Sequence, residues 1–348
     1  HTKGGVFHKP SAWEVNKQIY GVQPGTLAAQ FGCYYDNQVG VYSAAYDPRG
    51  YPKNLWVVRR AEGLEITWRH PCYALSSFSM GYDLVTGTFS GADPDTPTDW
   101  RDAADIYKAW AQQQHWCAKA YADRDDIPQW LKDGPAMVRF TRNWLAAPQT
   151  AESWLTKYWL KRFPEKTPLI VAFWGWEKIA SWVTPEYFPL FPSDEQFTKL
   201  ARTSREVGGH VFPWPSGYHY TTCYGAREDG TYEWDDRERF DSQIQPHAVH
   251  NRDGATYRWK PSWLRGGENS SMCPGDPWTL NWFTDISVKL AQRGADMIQV
   301  DQVVGGRFPA CYSKEHGHPV GPGLWMTEVF RNQLTQTLAR LREIDPDS

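Results

Sequence analysis

The chain has 348 residues, of which 41% are hydrophobic and 22% are charged, and its formal net charge is -3. This length suffices for a modest β domain followed by a large part of a barrel domain. The nearly neutral charge argues against a nucleic-acid partner, because phosphate binding usually requires a basic surface. No apolar stretch reaches the ~20 residues of a membrane-spanning helix, so we expect no membrane partner.

Residues 1–92 have the pattern of a β domain. Short apolar runs at 39–46, 55–58, 64–68 and 78–89 alternate with Gly, Pro and Asp turn residues. Such runs are typical of antiparallel strands, so we predict an antiparallel β-sandwich.

A linker and a helix follow at residues 93–133. The stretch 93–99 is polar and rich in proline, which is typical of a linker. Asp99 then stands where a helix N-cap is expected, and apolar residues at helical spacing continue to about Cys117.

From residue 134 to residue 348, apolar strands alternate with amphipathic helices. We predict strands at 136–140, 168–174, 210–214 and 296–301, and helices at 150–163, 193–208, 278–293 and 327–344. Residues 215–277 read as a long irregular segment. Continuous apolar strands separated by helices indicate a parallel sheet covered by helices.

The fold class that this pattern favours is α/β, as the first half, strands 1–4, of a (β/α)8 TIM barrel. A complete barrel needs about 250 residues, so we expect a second chain or a downstream segment to complete it. A doubly wound open sheet is the alternative, but no GxGxxG follows the first strand.

Aromatic residues are unusually frequent, with 20 Trp, 18 Tyr and 15 Phe. Most must fill a core, but some could line a cleft, because sugar rings stack on indoles while their hydroxyls bind polar groups. In barrels the catalytic groups lie at the carboxyl ends of the strands. The residues that we predict to bind a carbohydrate there are Arg139, Trp174, Trp176, Trp214, Tyr218, His219 and Gln302.

Asp301 is the sharpest candidate for catalysis, because a charged residue directly after a buried strand is costly without a partner. It could cap the next loop, or it could be a carboxylate nucleophile that forms a glycosyl-enzyme intermediate. A retaining enzyme needs a second carboxyl group as acid/base. Glu177 is the best candidate within the chain, although a polar rim residue that binds substrate hydroxyls is an equal alternative.

The loop after the fourth predicted strand contains His316 and His318. A His-x-His pair can bind a metal, but no third ligand is evident from the spacing. We therefore expect no metal and no cofactor, and we predict that both imidazoles bind substrate. A metal-dependent hydrolase stays an alternative.

The six cysteines show no CxxC pair, so disulfides and free thiols are both open. They are Cys33, Cys72, Cys117, Cys223, Cys273 and Cys311. The chain starts at His1 without a visible signal peptide. A mature secreted or periplasmic protein, which is our expectation, and a trimmed chain both fit this start.

Two segments carry a resemblance to known families. Asp99–Trp110 (DWRDAADIYKAW) resembles the segment that enters the barrel in several glycosidase-like families. Met297–Gln302 (MIQVDQ), followed by Cys311 and the His316–His318 pair, looks like a bacterial family of unknown function. That family is similar to TIM-barrel glycoside hydrolases of the α-galactosidase-like and endo-α-N-acetylgalactosaminidase-like kinds.

The resemblance implies a β-sandwich before the barrel and a nucleophile after the fourth strand, which is Asp301 here. It also implies an acid/base on a later strand, beyond the end of this chain. We therefore expect a retaining glycoside hydrolase that acts on an α-linked glycan. The alternative is a non-catalytic carbohydrate-binding protein on a barrel scaffold.

Overall fold

The computed structural model describes residues 10–73, 77–93, 95–163, 167–301 and 309–344. The chain folds into two compact units. The first contains His1–Arg124 and Gly321–Glu328, and the second contains Asp125–Val320 and Val329–Ser348. The domain boundaries that we expect after residues 92 and 133 remain predictions. Within the described residues, none of the helices is both long and apolar enough to cross a membrane.

The described part of the first unit contains two three-stranded antiparallel sheets, ordered β1-β4-β5 and β2-β3-β6. The strands are β1 (Gln18–Gln23), β2 (Phe31–Tyr35), β3 (Gly40–Tyr46), β4 (Lys53–Arg59), β5 (Leu64–Arg69) and β6 (Asp83–Phe89). Tyr42 and Ala44 of β3 and Phe89 of β6 share a buried core. The prediction of an antiparallel β region is confirmed, and the sandwich arrangement stays a prediction.

Helix α1 (Trp100–Ala111) begins at Asp99, as the sequence predicts. The side chain of Asp99 accepts a hydrogen bond from the backbone N–H of Arg101 (2.6 Å), and the side chain of Asp102 accepts one from the N–H of Asp99 (2.8 Å). Such a cap stabilises a helix by about 1 kcal/mol, because it satisfies N–H groups that have no partner inside the helix. The helix ends earlier than the predicted position near Cys117.

A late segment of the chain completes the first unit. The hydroxyl of Thr327 donates to the carbonyl of Gly50 (2.5 Å), and Arg49 forms an ion pair with Glu328 (2.6 Å). Arg49 and Gly50 belong to the turn that the sequence predicts after β3. The first unit is therefore built from two stretches of chain that are far apart in sequence.

The second unit is built on a three-stranded parallel sheet, ordered β7-β8-β9. Its strands are β7 (Ala136–Phe140), β8 (Leu169–Phe173) and β9 (Gly209–Pro213), close to three of the predicted strands. The register pairs Phe140 with Phe173 and Phe173 with Pro213. The carboxyl ends of the three strands therefore lie level with one another.

The four helices that the sequence predicts in the second unit are found with small shifts at their ends. The helices of this unit are α2 (Gln129–Lys132), α3 (Arg142–Leu145), α4 (Pro148–Ser153), α5 (Leu160–Arg162), α6 (Asp194–Glu206), α7 (Arg237–Arg239), α8 (Pro277–Gln292) and α9 (Trp325–Arg342), which continues from the first unit. Three short helices, α2, α3 and α7, were not predicted. Two π-helical stretches, Trp154–Trp159 and Phe240–Ile244, follow α4 and α7. Short 3-10 turns lie at Pro10–Ala12, His115–Cys117, Tyr121–Asp123 and Gln245–His247.

Both faces of β8 are buried, as expected for the central strand of a covered parallel sheet. Leu169, Val171 and Phe173 pack into a core that includes residues of α6 and α8. Ile170 and Ala172 point to the opposite face, where a smaller cluster contains Phe212, Trp214 and Met297. Burying each large apolar side chain contributes roughly 1.5–3 kcal/mol, so this strand anchors the unit.

The prediction of a fourth strand at 296–301 is wrong in its hydrogen bonding. The N–H groups of Met297 and Gln299 donate to the carbonyls of Val211 (3.1 Å) and Pro213 (3.4 Å), so the segment does run parallel beside β9. However, the N–H of Val211 donates to the carboxylate of Asp296 (2.8 Å) and not to a backbone carbonyl. A side chain therefore takes the place of one bond of the parallel ladder.

The expectation of an irregular segment at 215–277 is also wrong. It contains a four-stranded antiparallel sheet, ordered β11-β10-β13-β12. The strands are β10 (His219–Ala226), β11 (Tyr232–Asp235), β12 (Arg258–Trp259) and β13 (Glu268–Ser271). The first five residues of β10, HYTTC, are all buried although most of them are polar. A polar strand buried on both faces lacks the apolar run and the alternation that sequence reading relies on.

Candidate active site

Two tryptophans follow the parallel strands directly and meet at the carboxyl edge of the sheet. The rings of Trp174, after β8, and Trp214, after β9, pack edge to face with centroids 4.7 Å apart, and Trp182 packs on Trp174 at 5.7 Å. The guanidinium of Arg139 lies 4.1 Å from the centre of the Trp174 ring. Trp174, Trp182 and Trp214 form an aromatic wall that is partly exposed. The structure thus brings together three of the predicted residues, Arg139, Trp174 and Trp214.

The segment beside β9 places side chains on both faces of the sheet and ends at Asp301. Met297 packs with the Phe212 and Trp214 cluster, whereas Ile298 packs into the core on the other side of the sheet. Successive side chains of an extended segment point to opposite faces. Asp301 follows Gln299 and Val300 in this segment, just beyond the hydrogen bond from the N–H of Gln299 to the last residue of β9. Asp301 is partly exposed there.

Tyr187 is a residue that sequence analysis missed. It is fully buried, its ring lies 5.1 Å from the ring of Trp176, and its hydroxyl accepts the N–H of Ser216 (2.9 Å). Burial raises the pKa of Tyr187, and the nearby charges of Glu177 and Asp301 raise it further. Both predicted catalytic carboxylates therefore act on the same buried phenol.

The signal that could have drawn attention to Tyr187 is the length of its loop. Residues 174–193 connect β8 to α6, whereas such connections usually have about 2–6 residues. A long loop at the carboxyl edge of a parallel sheet is typical of a functional segment.

Glu177 lies inside this loop and is only 1% exposed. Its Oε1 accepts the backbone N–H of Trp182 (2.8 Å), and its Oε2 has no hydrogen-bond partner among the described residues. Burial raises the pKa of Glu177 to about 7, although the Trp182 N–H and the charge of Arg142 oppose this. Glu177 is thus shielded from solvent, and its alternative role as a polar rim residue that binds substrate hydroxyls stays a prediction. The acid/base role stays a prediction.

Arg142 holds the start of the loop in place. Its guanidinium donates to the carbonyls of Gly175 (2.8 Å), Glu177 (2.7 Å), Lys178 (3.2 Å) and Ile179 (3.2 Å). Gly175 has φ +81°, and a Cβ atom there would lie 2.8 Å from Cβ of Arg142. Only glycine adopts this conformation easily and permits this close approach.

Trp176, Tyr218 and His219 are buried and do not line the edge of the sheet. Tyr218 packs on Phe283, with ring centres 5.1 Å apart, and His219 packs on Trp259 at 5.2 Å. Burial lowers the pKa of His219 to about 4, so its imidazole is neutral at physiological pH. Trp176 Nε1, Tyr218 Oη and His219 Nδ1 each lack a hydrogen-bond partner within the part of the chain that the structure describes. Their substrate-binding role stays a prediction.

Two predicted residues, His316 and His318, contact cysteines in the structure. Nδ1 of His316 lies 3.4 Å from Sγ of Cys311, and Nε2 of His318 lies 3.2 Å from Sγ of Cys273. The two imidazoles thus belong to a cluster with two cysteines. Gln302 lies outside the described residues.

Comparison with known proteins identifies the family. The family model for a domain of unknown function, DUF6259, matches residues 78–347, most of the chain. The chain belongs to the DUF6259 family. This DUF6259 member is 22% identical over 318 residues to a Bacteroides thetaiotaomicron protein named "Putative glycoside hydrolase". The match covers 86% of this chain and 41% of that protein.

Solved structures of glycosidases share the fold of this DUF6259 member. An α-N-acetylgalactosaminidase from Bifidobacterium bifidum matches with a TM-score of 0.63 and 12% identity over 90% of this chain and 51% of that chain. The complex of that enzyme with Gal-NHAc-DNJ matches with a TM-score of 0.64 and 12% identity, over 93% of this chain and 52% of that chain. An α-galactosidase from Thermus thermophilus matches with a TM-score of 0.50 and 14% identity, over 93% of this chain and 50% of that chain.

The DUF6259 member spans about half the length of each relative that it matches, or less. At these identities the likeness to solved structures shows a shared fold. The match to the Bacteroides protein and this fold make the chain glycoside-hydrolase-like. The resemblance that the sequence indicated, to a family of unknown function related to these glycosidases, is confirmed.

Proposed function

We propose that this chain carries the nucleophile of a retaining glycoside hydrolase that releases an α-linked galactose or N-acetylgalactosamine residue. Its parallel sheet is the first part of a TIM barrel, which a second chain or a downstream segment completes. The proposal is supported by the place of Asp301 in the chain, at the end of the segment that runs beside β9, whose carboxyl edge carries Trp214 of the aromatic wall. The names of the structural relatives supply the sugar class.

Asp301 acts as the nucleophile in this proposal. Its carboxylate oxygen attacks the anomeric carbon, the bond from that carbon to the leaving oxygen breaks, and the leaving oxygen takes a proton from an acid. A glycosyl ester on Asp301 results, and water then hydrolyses it. The aromatic wall binds the C–H-rich face of the sugar, with Arg139 held against Trp174.

The acid has two candidate sources. Glu177 has a pKa of about 7, which suits a group that donates a proton near neutral pH. It is buried, however, so it would reach the sugar only if the loop around Trp182 opened. A carboxyl group on the part that completes the barrel needs no such movement.

A covalent label tests the nucleophile independently of the acid. The probes are 5-fluoro-α-galactosyl fluoride and its N-acetylgalactosamine counterpart. The carboxylate forms the bond to the anomeric carbon while the C–F bond breaks and fluoride leaves, so no protonation is required. The 5-fluorine slows hydrolysis of the ester, and peptide mass spectrometry locates it. The protein is the longest natural polypeptide that contains this chain.

We expect one adduct, on the peptide that contains Asp301. Asp301→Asn should abolish it, and Asp235→Asn, which alters an exposed carboxylate outside the site, should retain it. An adduct on another carboxylate, or none with either probe on folded protein, overturns the nucleophile role. Saturable sugar binding without an adduct, equal in wild type and Asp301→Asn, would establish the non-catalytic alternative.

A further inference from the structure

Two cysteines and two histidines of the second unit come together away from the aromatic wall. One ligand atom from each of Cys273, Cys311, His316 and His318 lies within 4.8 Å of every other. The first three side chains are buried, and His318 is partly buried. Two close sulfur–nitrogen pairs measure 3.2 Å and 3.4 Å.

We propose that these four side chains bind one zinc ion at a structural site. Zinc binds thiolate sulfur at ~2.3 Å and imidazole nitrogen at ~2.0–2.1 Å in a tetrahedron. Those bond lengths place sulfur and nitrogen ligands about 3.5 Å apart, close to the two measured pairs. A Cys2His2 ligand set is typical of zinc and unsuited to calcium or magnesium, which prefer oxygen ligands.

The second nitrogen of each imidazole is already engaged. Nε2 of His316 lies 2.7 Å from the carbonyl of Pro246, and Nδ1 of His318 lies 2.8 Å from the carbonyl of Pro319. A nitrogen that donates to a carbonyl leaves the other nitrogen unprotonated and directed at the cysteines. This arrangement orients imidazoles in zinc sites.

The backbone around the cluster also fits a bound metal. The N–H of His250 donates to Sγ of Cys311 (3.4 Å), which stabilises a thiolate ligand. A Cβ atom on Gly275 would lie 2.3 Å from Cδ2 of His318, so glycine at this position lets the imidazole reach Cys273. The ligand atoms are therefore held in place by their surroundings.

Four protein ligands leave no open position for water or substrate, which distinguishes a structural zinc site from a catalytic one. Cys273 follows Met272 just after the end of strand β13, whereas the other three ligands lie in the loop before α9. A zinc ion would fasten this loop to the antiparallel sheet. Sequence spacing did not reveal the site, because Cys273 is far along the chain from Cys311.

Metal content tests the proposal without any activity measurement. Untagged protein is purified under reducing conditions from medium that contains zinc, dialysed, and analysed by mass spectrometry for metals. We expect about one zinc per chain, and a loss of at least 10-fold in Cys273→Ser and in His316→Gln.

His250→Gln and Cys223→Ser are the matched controls. The ring of His250 lies 5.7 Å from the ring of His316, and Cys223 is a buried thiol outside the cluster. Both variants should keep the zinc of the wild type. Equal zinc loss in the controls and in the ligand variants would overturn the assignment of these four ligands.

Cobalt substitution avoids dependence on variants that fail to fold. Zinc is removed from wild-type protein with a chelator, and Co²⁺ is added. We expect strong tetrahedral ligand-field bands and a thiolate-to-cobalt charge-transfer band at one equivalent. A weak octahedral spectrum, less than a tenth of an equivalent of zinc in the purified protein, or a Cys273–Cys311 disulfide in freshly isolated protein overturns the proposal.

Discussion

Each compact unit buries a carboxyl group, and the two groups differ in their hydrogen bonding. In the first unit, Asp47 forms an ion pair with Lys53 (2.6 Å), and both side chains are fully buried. The carboxylate also accepts three backbone N–H groups, those of Arg49, Gly50 and Tyr51. In the second unit, Glu177 accepts one N–H, and its other oxygen has no hydrogen-bond partner in the described part of the chain.

This difference in hydrogen bonding distinguishes a buried carboxyl group with a structural role from one that is a candidate for catalysis. Lys53 also donates to Gln30 (2.9 Å) and to the carbonyl of Tyr51 (2.8 Å), so its three N–H groups all have acceptors. A buried pair that is fully hydrogen bonded is held in one geometry. A buried carboxyl group with one oxygen that has no hydrogen-bond partner can change its protonation state and accept a new hydrogen bond. Glu177, whose charge acts on the buried Tyr187, is of this second kind.

The largest expected effect concerns the other carboxylate beside Tyr187. Asp301→Asn should slow consumption of an α-glycosyl fluoride by about 10⁴-fold, since loss of a nucleophile leaves only binding and electrostatic contributions. Initial rates of fluoride release measure this. The melting temperature should stay within a few degrees of wild type, and a rate within 10-fold of wild type would contradict the prediction.

Removing one partner of the buried Asp47–Lys53 ion pair should strongly destabilise the protein. Lys53→Ala leaves the buried Asp47 carboxylate without its cation, so we expect the free energy of unfolding to fall by about 3–5 kcal/mol. Urea denaturation measures the change. Lys108→Ala is the matched control, because Lys108 pairs with Asp105 at 3.9 Å on the exposed surface and should cost less than about 1 kcal/mol. Similar losses of unfolding free energy in Lys53→Ala and Lys108→Ala would contradict the prediction that the buried ion pair matters more than the exposed one.

Glu177 should make stability depend on pH. Its pKa is raised from 4.5 to about 7 in the folded protein, so its protonated form favours folding below pH 4.5. That contribution is lost as the pH rises through about 7. Between pH 5 and pH 8, wild type should lose about 2–3 kcal/mol of stability relative to Glu177→Gln.

Urea unfolding of both proteins at the two pH values measures this difference. Glu186→Gln serves as a control, because Glu186 is not fully buried and pairs with Lys178 at 3.5 Å. Its profile should run parallel to that of wild type. Parallel profiles for wild type and Glu177→Gln would show that the Glu177 carboxyl does not titrate in this range.

The smallest effect concerns the aromatic wall. Trp174→Ala should weaken binding of an α-galactoside or α-N-acetylgalactosaminide by about 10-fold, equivalent to ~1.4 kcal/mol. Isothermal titration calorimetry measures the affinity. Trp263→Ala removes a tryptophan that is 48% exposed and outside the wall, and should leave binding unchanged. An unchanged affinity in Trp174→Ala would remove the wall from the proposed site.

The parallel strands could be predicted because their chemistry is local. Leu169–Phe173 is a continuous apolar run between turn residues, a pattern typical of a strand buried on both faces. The helix cap at Asp99 could also be predicted, because an N-cap depends on residues within one turn.

What could not be predicted depends on partners that are distant in sequence. The polar strand His219–Ala226 is buried because Thr184, from another loop, bonds to the backbone and hydroxyl of Thr221. The segment 296–301 lost its strand hydrogen bonding because the Asp296 carboxylate took one backbone partner. Neither interaction leaves a local pattern in the sequence.

The candidate site was predictable in part for the same reason. The positions of Trp174 and Trp214 follow from the ends of two adjacent strands. Tyr187 depends on how a long loop folds back, and Cys273 and His318 are 45 residues apart in sequence, so their contact leaves no local pattern.

The late segment that completes the first unit has a consequence for synthesis on the ribosome. The sheets of that unit are translated by residue 124, but Thr327 and Glu328, which hold the turn at Arg49 and Gly50, emerge much later. At roughly 5–20 residues per second, the delay is about 10–40 s. During that interval the turn is uncovered on the nascent chain, so cotranslational chaperones have a defined window in which to bind it.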